Sequence, residues 1–252
     1  VTVTATASVA PIVQAIDYRY GCLQRLTGAA ESPGSSFAYR YDLAGTRTGV
    51  TVDGTAVLTN TYDAADQVVG WTYDGAGNLT SDGTTSYGYD ATNDLTGTTT
   101  SGQSRAYTYN GDGTLVGQTA NGTTTSYTQD LAADQSQILA ATVAMTTTDY
   151  LYGQDTAPLA ALTGTTRTWY GIDGQGSVRQ SLDDSGTILG VRNYDPFGQI
   201  EAGSPLTGPF GYTGELQDAT SGQEYLRARW YQPGSGTLLG VDPLLDVDRA
   251  AL

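Results

Sequence analysis

The chain has 252 residues and a net charge of −15; it contains no histidine, and all 11 of its basic residues are Arg. An acidic surface offers neither nucleic acid nor an anionic membrane a charge to meet, and without imidazole there are no His triads, His-ligated zinc or imidazole acid–base steps. Cys22 is the only cysteine, which excludes an internal disulfide and a thiolate metal cluster, and no apolar run approaches the ~20 residues of a membrane span.

Val1–Ala10 alternates Val and Ala with Thr and reads as a strand; no signal peptide is recognised there. The missing Met before Val1 fits a piece of a longer polypeptide. A repeated unit follows, with Tyr-Asp or Tyr-Asn, then Gly or Asn four residues after the Tyr, then Leu six after it. The copies are Tyr73-Asp74 with Gly77 and Leu79, Tyr89-Asp90 with Asn93 and Leu95, and Tyr109-Asn110 with Gly113 and Leu115. Tyr41-Asp42 keeps Gly45, and Tyr62-Asp63 is a partial copy with Asp66 and Val68. Gly and Asn tolerate positive φ, and an Asp or Asn side chain accepts a hydrogen bond from backbone two residues on, so each block is a turn between two strands. The Asp residues are accordingly read as turn formers, since no stretch has the alternating acidic loop that binds calcium.

Thr98–Thr100 and Thr123–Thr125 suit strand arms. With 33 Gly, and 18 Tyr against 3 Phe, the composition fits an all-β strip with one wet face, because Tyr packs its ring and keeps its hydroxyl hydrated or bonded to backbone. Tyr starts at 41, 62, 73, 89 and 109 are 21, 11, 16 and 20 residues apart, an array of hairpins stabilised by neighbour contacts. Its open edges call for more of the same sheet. From Tyr127 to Thr168 the rhythm lapses, and Ile138–Leu151 reads either as a longer pair of strands or as a short helix. Trp71, Trp169 and Trp230 read as cross-strand packing residues ahead of sugar platforms.

More specific motifs then appear in order: Asp173-Gly174-Gln175-Gly176-Ser177-Val178, Tyr194-Asp195-Pro196-Phe197-Gly198, Phe210-Gly211-Tyr212-Thr213-Gly214, Tyr225-Leu226-Arg227-Ala228-Arg229-Trp230-Tyr231 and Asp242-Pro243. Gly174–Ser177 lacks the Lys and the helix of a phosphate loop. In this order the motifs resemble the core domain that ends RHS/YD-repeat proteins, closely from Trp169 to about Leu245 and loosely over the repeats from Tyr41 to Tyr127.

The resemblance implies a spiralling strip of antiparallel hairpins forming part of a hollow shell, closed by a core that turns inward as a plug. It implies a repeat segment over 1–168, a core over 169–245 and the start of a variable region at 246–252. The implied role is to sequester a C-terminal toxin or effector, as polymorphic toxins and the C components of insecticidal toxin complexes do. Expected partners are that cargo, the remainder of the shell and delivery components. No nucleic acid, membrane insertion, cofactor or metal is expected, and the implied location is bacterial, secreted or at the cell surface. A teneurin-like adhesion scaffold or a glycan-binding scaffold without cargo is the alternative.

The family core is also associated with aspartic-type self-cleavage after the Asp-Pro, in which two carboxylates share one proton. Asp242 matches the acidic residue of that motif and Arg229 the second Arg of Tyr-Leu-Arg-Ala-Arg, with the expected break within Leu244 to Asp246. The family's Tyr-Asp-Pro reads Tyr231-Gln232-Pro233 here, and Gln232 cannot ionise; Leu245 stands where the family often has Gly. The competing expectation is an ion-pair lock of Arg227, Arg229 and Asp242 that holds the plug without catalysis. If cleavage occurs, Asp246 or Glu224 would substitute for the missing carboxylate.

Overall fold

The computed structural model describes residues 15–132, 135–153, 157–218 and 221–242. The strand expected over Val1–Ala10 and the bond within Leu244 to Asp246 lie outside them. The chain is all-β. A five-stranded sheet comes first: β1 (Ala15–Tyr20), β2 (Leu26–Ser32), β3 (Ser36–Tyr41), β4 (Arg47–Val52) and β5 (Thr55–Thr59). A fourteen-stranded sheet follows, beginning with β6 (Thr72–Tyr73), β7 (Leu79–Ser81), β8 (Thr85–Tyr89), β9 (Leu95–Thr100), β10 (Gln103–Tyr109), β11 (Leu115–Ala120) and β12 (Thr123–Asp130). It continues through β13 (Gln137–Val143), β14 (Thr146–Tyr152), β15 (Pro158–Thr163), β16 (Thr166–Ile172), β17 (Val178–Leu182), β18 (Ile188–Tyr194) and β19 (Ile200–Ser204). A four-stranded sheet ends the described chain: β20 (Leu216–Gln217), β21 (Glu224–Tyr225), β22 (Trp230–Gln232) and β23 (Thr237–Leu238). Strand order within each sheet is chain order. Ile138–Leu151, which the sequence left open, is a strand pair.

The repeat's offsets follow from one turn. Asp74 Oδ1 accepts the amides of Ala76 and Asn78, both at 2.9 Å, while Gly77 N–H donates to the Asp74 carbonyl at 3.1 Å. Gly77 has φ 97°, the left-handed conformation that closes a three-residue hairpin with a bulge. Asp90, Asn110, Asp173, Asp183 and Asp195 repeat the pattern. The bulge makes each Tyr pair directly with the residue six places on: Tyr73 with Leu79, Tyr89 with Leu95, Tyr109 with Leu115. Along the opposite edge most turns have two residues. Asp53-Gly54, Ser101-Gly102, Asn121-Gly122 and Ala144-Met145 each put both central residues at positive φ, matching the twist of the flanking strands.

A second regularity explains why the aromatic is Tyr. The bulge takes the offset-six residue partly out of the ladder, and the Tyr of the next repeat reaches back to its carbonyl. Tyr41 donates to Leu26 O at 2.7 Å, and Tyr62 to Arg47 O and Tyr109 to Leu95 O, both at 2.8 Å; Tyr152 reaches back in the same way to the carbonyl of Ile138, which pairs with Gln129, at 2.8 Å. Phe at these places would leave a half-buried carbonyl unpaired. Gln129 does the same job, donating to Leu115 O at 2.7 Å, so the repeat persists where the sequence rhythm lapses.

The fourteen-stranded sheet buries one row of side chains, including Leu79, Tyr87, Leu95, Tyr107, Leu115 and Tyr127, in a core shared with the C-terminal sheet. The five-stranded sheet has its own core of Ala29, Phe37, Tyr39 and Val50, against which Phe197 packs. Tyr39 and Phe197 rings are 4.9 Å apart, and the Arg47 guanidinium sits 4.0 Å above the Phe197 ring. The strip therefore curves, and its first sheet meets the turn between β18 and β19. The Tyr194–Gly198 motif is the knob of that contact.

Candidate functional site

The C-terminal segment covers a broad face of the fourteen-stranded sheet. There Phe210, Leu216, Tyr225, Trp230 and Leu239 pack onto the fourteen-stranded sheet. Trp230 lies 4.5 Å from the Tyr107 ring and Phe210 lies 4.8 Å from Tyr150, separations at which aromatic pairs attract. Trp230 Nε1 donates to Tyr109 Oη at 2.9 Å.

Polar groups place the segment more narrowly than packing does. The offset-six residues also have amides to satisfy, and the C-terminal segment accepts from three of them. Leu79 N–H donates to Leu239 O at 3.0 Å, Leu115 N–H to Tyr225 Oη at 3.0 Å, and Val178 N–H to Gly211 O at 2.9 Å. Strands β7, β11 and β17 thus each present a backbone donor that the C-terminal segment meets. Ser177, fully buried, accepts the Thr213 amide at 2.9 Å, which gives the Asp173–Val178 motif a seating role. Tyr212 and Tyr231 donate to Pro196 O and Phe197 O at 2.9 and 2.8 Å, tying the segment to the β18–β19 knob.

The structure separates the three residues expected to form one lock. Arg229 pairs with Asp242 at 3.0 Å, but the Asp242 side chain is 51% exposed. Arg227 binds Glu215 at 2.7 Å and the Ser136 carbonyl at 3.0 Å instead. Burial raises the Glu215 carboxyl above the usual range, and Arg227 opposes that shift. Gln232 lies on β22 opposite Thr237, with its side-chain oxygen buried. The turn residues Tyr41, Asp42, Tyr73, Asp74, Gly77, Tyr89, Asp90, Tyr109 and Gly113 stand at hairpin ends, as local chemistry required.

The deeply buried ion pair is one the sequence did not reveal. Asp218, in the loop after β20, has no exposed side-chain surface and meets Arg105 of β10 at 2.8 Å. Tyr107 Oη donates to the same carboxylate at 3.3 Å, and Asp218 Oδ1 accepts the Ser221 amide at 2.8 Å. A charge is tolerated in such a place only when paired and hydrogen-bonded, and both conditions hold. Nearby Glu224 is 1% exposed, and burial, with the Glu215 charge adding to it, pushes its carboxyl up to about 9. Gln217 Nε2 donates to it at 3.3 Å. Glu224 is therefore a neutral acid at pH 7, facing Tyr231 across the sheet.

Comparison with known proteins agrees with this architecture. The model of the teneurin YD-shell family matches residues 3–249. A tRNA3(Ser)-specific nuclease WapA of Bacillus spizizenii is 31% identical over 174 residues, covering 66% of this chain and 8% of that protein. Among solved structures, a Tc holotoxin pore of Photorhabdus luminescens carrying a TccC3 mutation is similar at TM-score 0.50 and 16% identity, over 92% of this chain and 17% of that one. A TcdB2-TccC3-TEV crystal structure aligns over the same shares at TM-score 0.47 and 16% identity. The chain thus spans a small part of its relatives' length, and the likeness to the holotoxin pore is one of fold. A family match over nearly the whole sequence, joined to antiparallel hairpin sheets turned by the Tyr-Asp repeat, has one consequence: the chain belongs to the teneurin YD-shell family.

Proposed function

We propose that this chain is the closing segment of a secreted or cell-surface encapsulating shell, which sequesters a toxin or effector carried C-terminal to it. The part before Trp169 supplies wall. The part from Trp169 onward supplies the last wall strands and the plug. The observation behind this reading is the fit of the C-terminal sheet to one wall face, where it meets the bulge amides of Leu79, Leu115 and Val178. A segment held that way is a stopper whose position is fixed by backbone donors along the wall. A lining of Tyr and Thr offers an unfolded guest few strong apolar holds, so confinement rather than tight binding would retain it.

The test uses the parent polypeptide with its downstream region. Limited proteolysis is expected to leave that region intact while the wall is native, and to digest it once the wall is denatured. Rapid digestion of the downstream region from the native protein refutes encapsulation and favours an adhesion scaffold.

A second part of the proposal is that this chain keeps the frame of a self-cleaving core, with Asp242 as one carboxylate and the bond within Leu244 to Asp246, but lacks the second carboxylate. Gln232 cannot supply the other, and Asp242 is engaged by Arg229. We expect the parent to stay intact in mass spectra and Gln232→Asp to create the break. A break in the unaltered chain would assign the missing carboxylate elsewhere, with Glu224→Gln as the next variant.

A further inference from the structure

The C-terminal segment does not cover the wall evenly. Over β12–β14 it leaves a pocket of about 380 Å³, roofed by the Pro205–Phe210 connector. That volume lies within the range of about 300–1,000 Å³ that binds small ligands or the side chains of a short peptide. Tyr127, Tyr150, Leu206 and Phe210 line it, together with the polar Arg192 of β18 and Gln217 of β20.

Its charge is opposite to that of the molecule. No Asp or Glu lines the pocket, in a chain with 26 of them, and Arg192 is its one charged residue. Arg192 donates to Gln217 Oε1 at 2.5 Å, and among the described residues no carboxylate lies within salt-bridge distance of it. Its partners here, the Gln217 amide and the Tyr194 hydroxyl, are both neutral, so among the described residues no anion meets a guanidinium whose planar fork of five N–H donors suits a carboxylate. The Tyr150 hydroxyl also makes no hydrogen bond within the described protein, and burial pushes it up to about 12, so it stays a neutral donor.

We propose that this pocket seats an acidic residue and the aromatic or aliphatic residue beside it in the enclosed polypeptide. The carboxylate lies on Arg192 and the apolar group between Tyr127, Tyr150 and Phe210. This rests on the encapsulation reading for the source of the ligand, but the binding chemistry belongs to this chain alone. It gives an otherwise passive lining one fixed point of attachment.

The probe is N-acetylphenylalanine, with N-acetylphenylalaninamide as the uncharged control, observed by saturation-transfer NMR on the 252-residue chain. The acid is expected to bind at least tenfold more tightly than the amide, and Arg192→Gln to reduce it to the level of the amide. Because Arg192 also holds Gln217, Val143→Trp provides an independent variant: Val143 lines the pocket, and the larger ring is expected to abolish binding of both probes while thermal unfolding stays cooperative. Equal binding of acid and amide, acid binding unchanged by either variant, or no binding of the acid overturns the proposal. Binding here together with an unprotected downstream region in the parent would instead overturn encapsulation and leave the pocket assigned.

Discussion

Asp218→Ala removes the carboxylate at the centre of the plug's contact with the wall. The Arg105 side chain is 10% exposed and loses its partner at 2.8 Å; Tyr107 Oη and the Ser221 amide lose an acceptor too. Removing one member of a buried pair strands the other charge and costs about 3–5 kcal/mol. For a chain of this size that corresponds to a fall in Tm of roughly 6–20 °C, at about 2–4 °C per kcal/mol. Differential scanning calorimetry measures the fall, and amide exchange locates it. The amides of Leu79, Leu115 and Val178, which donate to the C-terminal segment, should lose protection before those in the strand ladders. Arg105→Met with Asp218→Leu, which removes both charges, should recover most of the loss. Asp242→Asn provides the contrast, because its pair is half exposed and worth about 0–1 kcal/mol. If Asp218→Ala shifts Tm no more than Asp242→Asn, or leaves the three amides protected, the plug is not held by this clasp.

Glu224 has its folded value raised to about 9 from an ordinary 4.5, so the folded state keeps a proton that the unfolded chain has already lost. Stability should be complete below pH 4.5 and fall as pH rises toward 9; Glu224→Gln should flatten this slope in urea titrations across the range, and an unchanged slope would show the carboxyl to be solvated. Tyr109→Phe deletes the hydroxyl that donates to Leu95 O at 2.8 Å and accepts from Trp230 Nε1 at 2.9 Å. Two buried groups left unpaired should cost about 2–4 kcal/mol in chemical denaturation. Tyr41→Phe, whose hydroxyl donates to the single carbonyl of Leu26, should cost about half as much, and equal costs would detach the plug from the hairpin bonding scheme.

The sequence revealed most where the physics is local. Asp74 and Gly77 determine their turn by their own hydrogen bonding and φ, so offsets of four and six were enough to place the strands on either side. The lapse after Tyr127 was misleading because the repeat's Tyr is replaceable. Gln129 supplies the same bond from another side chain, and Ile172 keeps the turn through Asp173 with no hydroxyl at all. Ala144-Met145 was unreadable as a tight turn, since neither residue favours positive φ and the sheet imposes it. The motifs of the last third were legible as a resemblance, but not the part each plays: Phe197 as a knob on the first sheet, Ser177 as a seat for Thr213. Arg105 and Asp218 carry no pattern of their own, and only the folded strip brings them together. Arg227 was assigned the wrong neighbour for the same reason: Glu215 approaches it from outside its motif.

A density map of the parent polypeptide tests the central claim most directly. In it, β6–β19 should form a continuous curved wall around an interior volume, with the sheet of β20–β23 on the interior side against Tyr107 and Tyr150. A flat strip without a chamber, or the four-stranded sheet lying on the outer face, contradicts the claim.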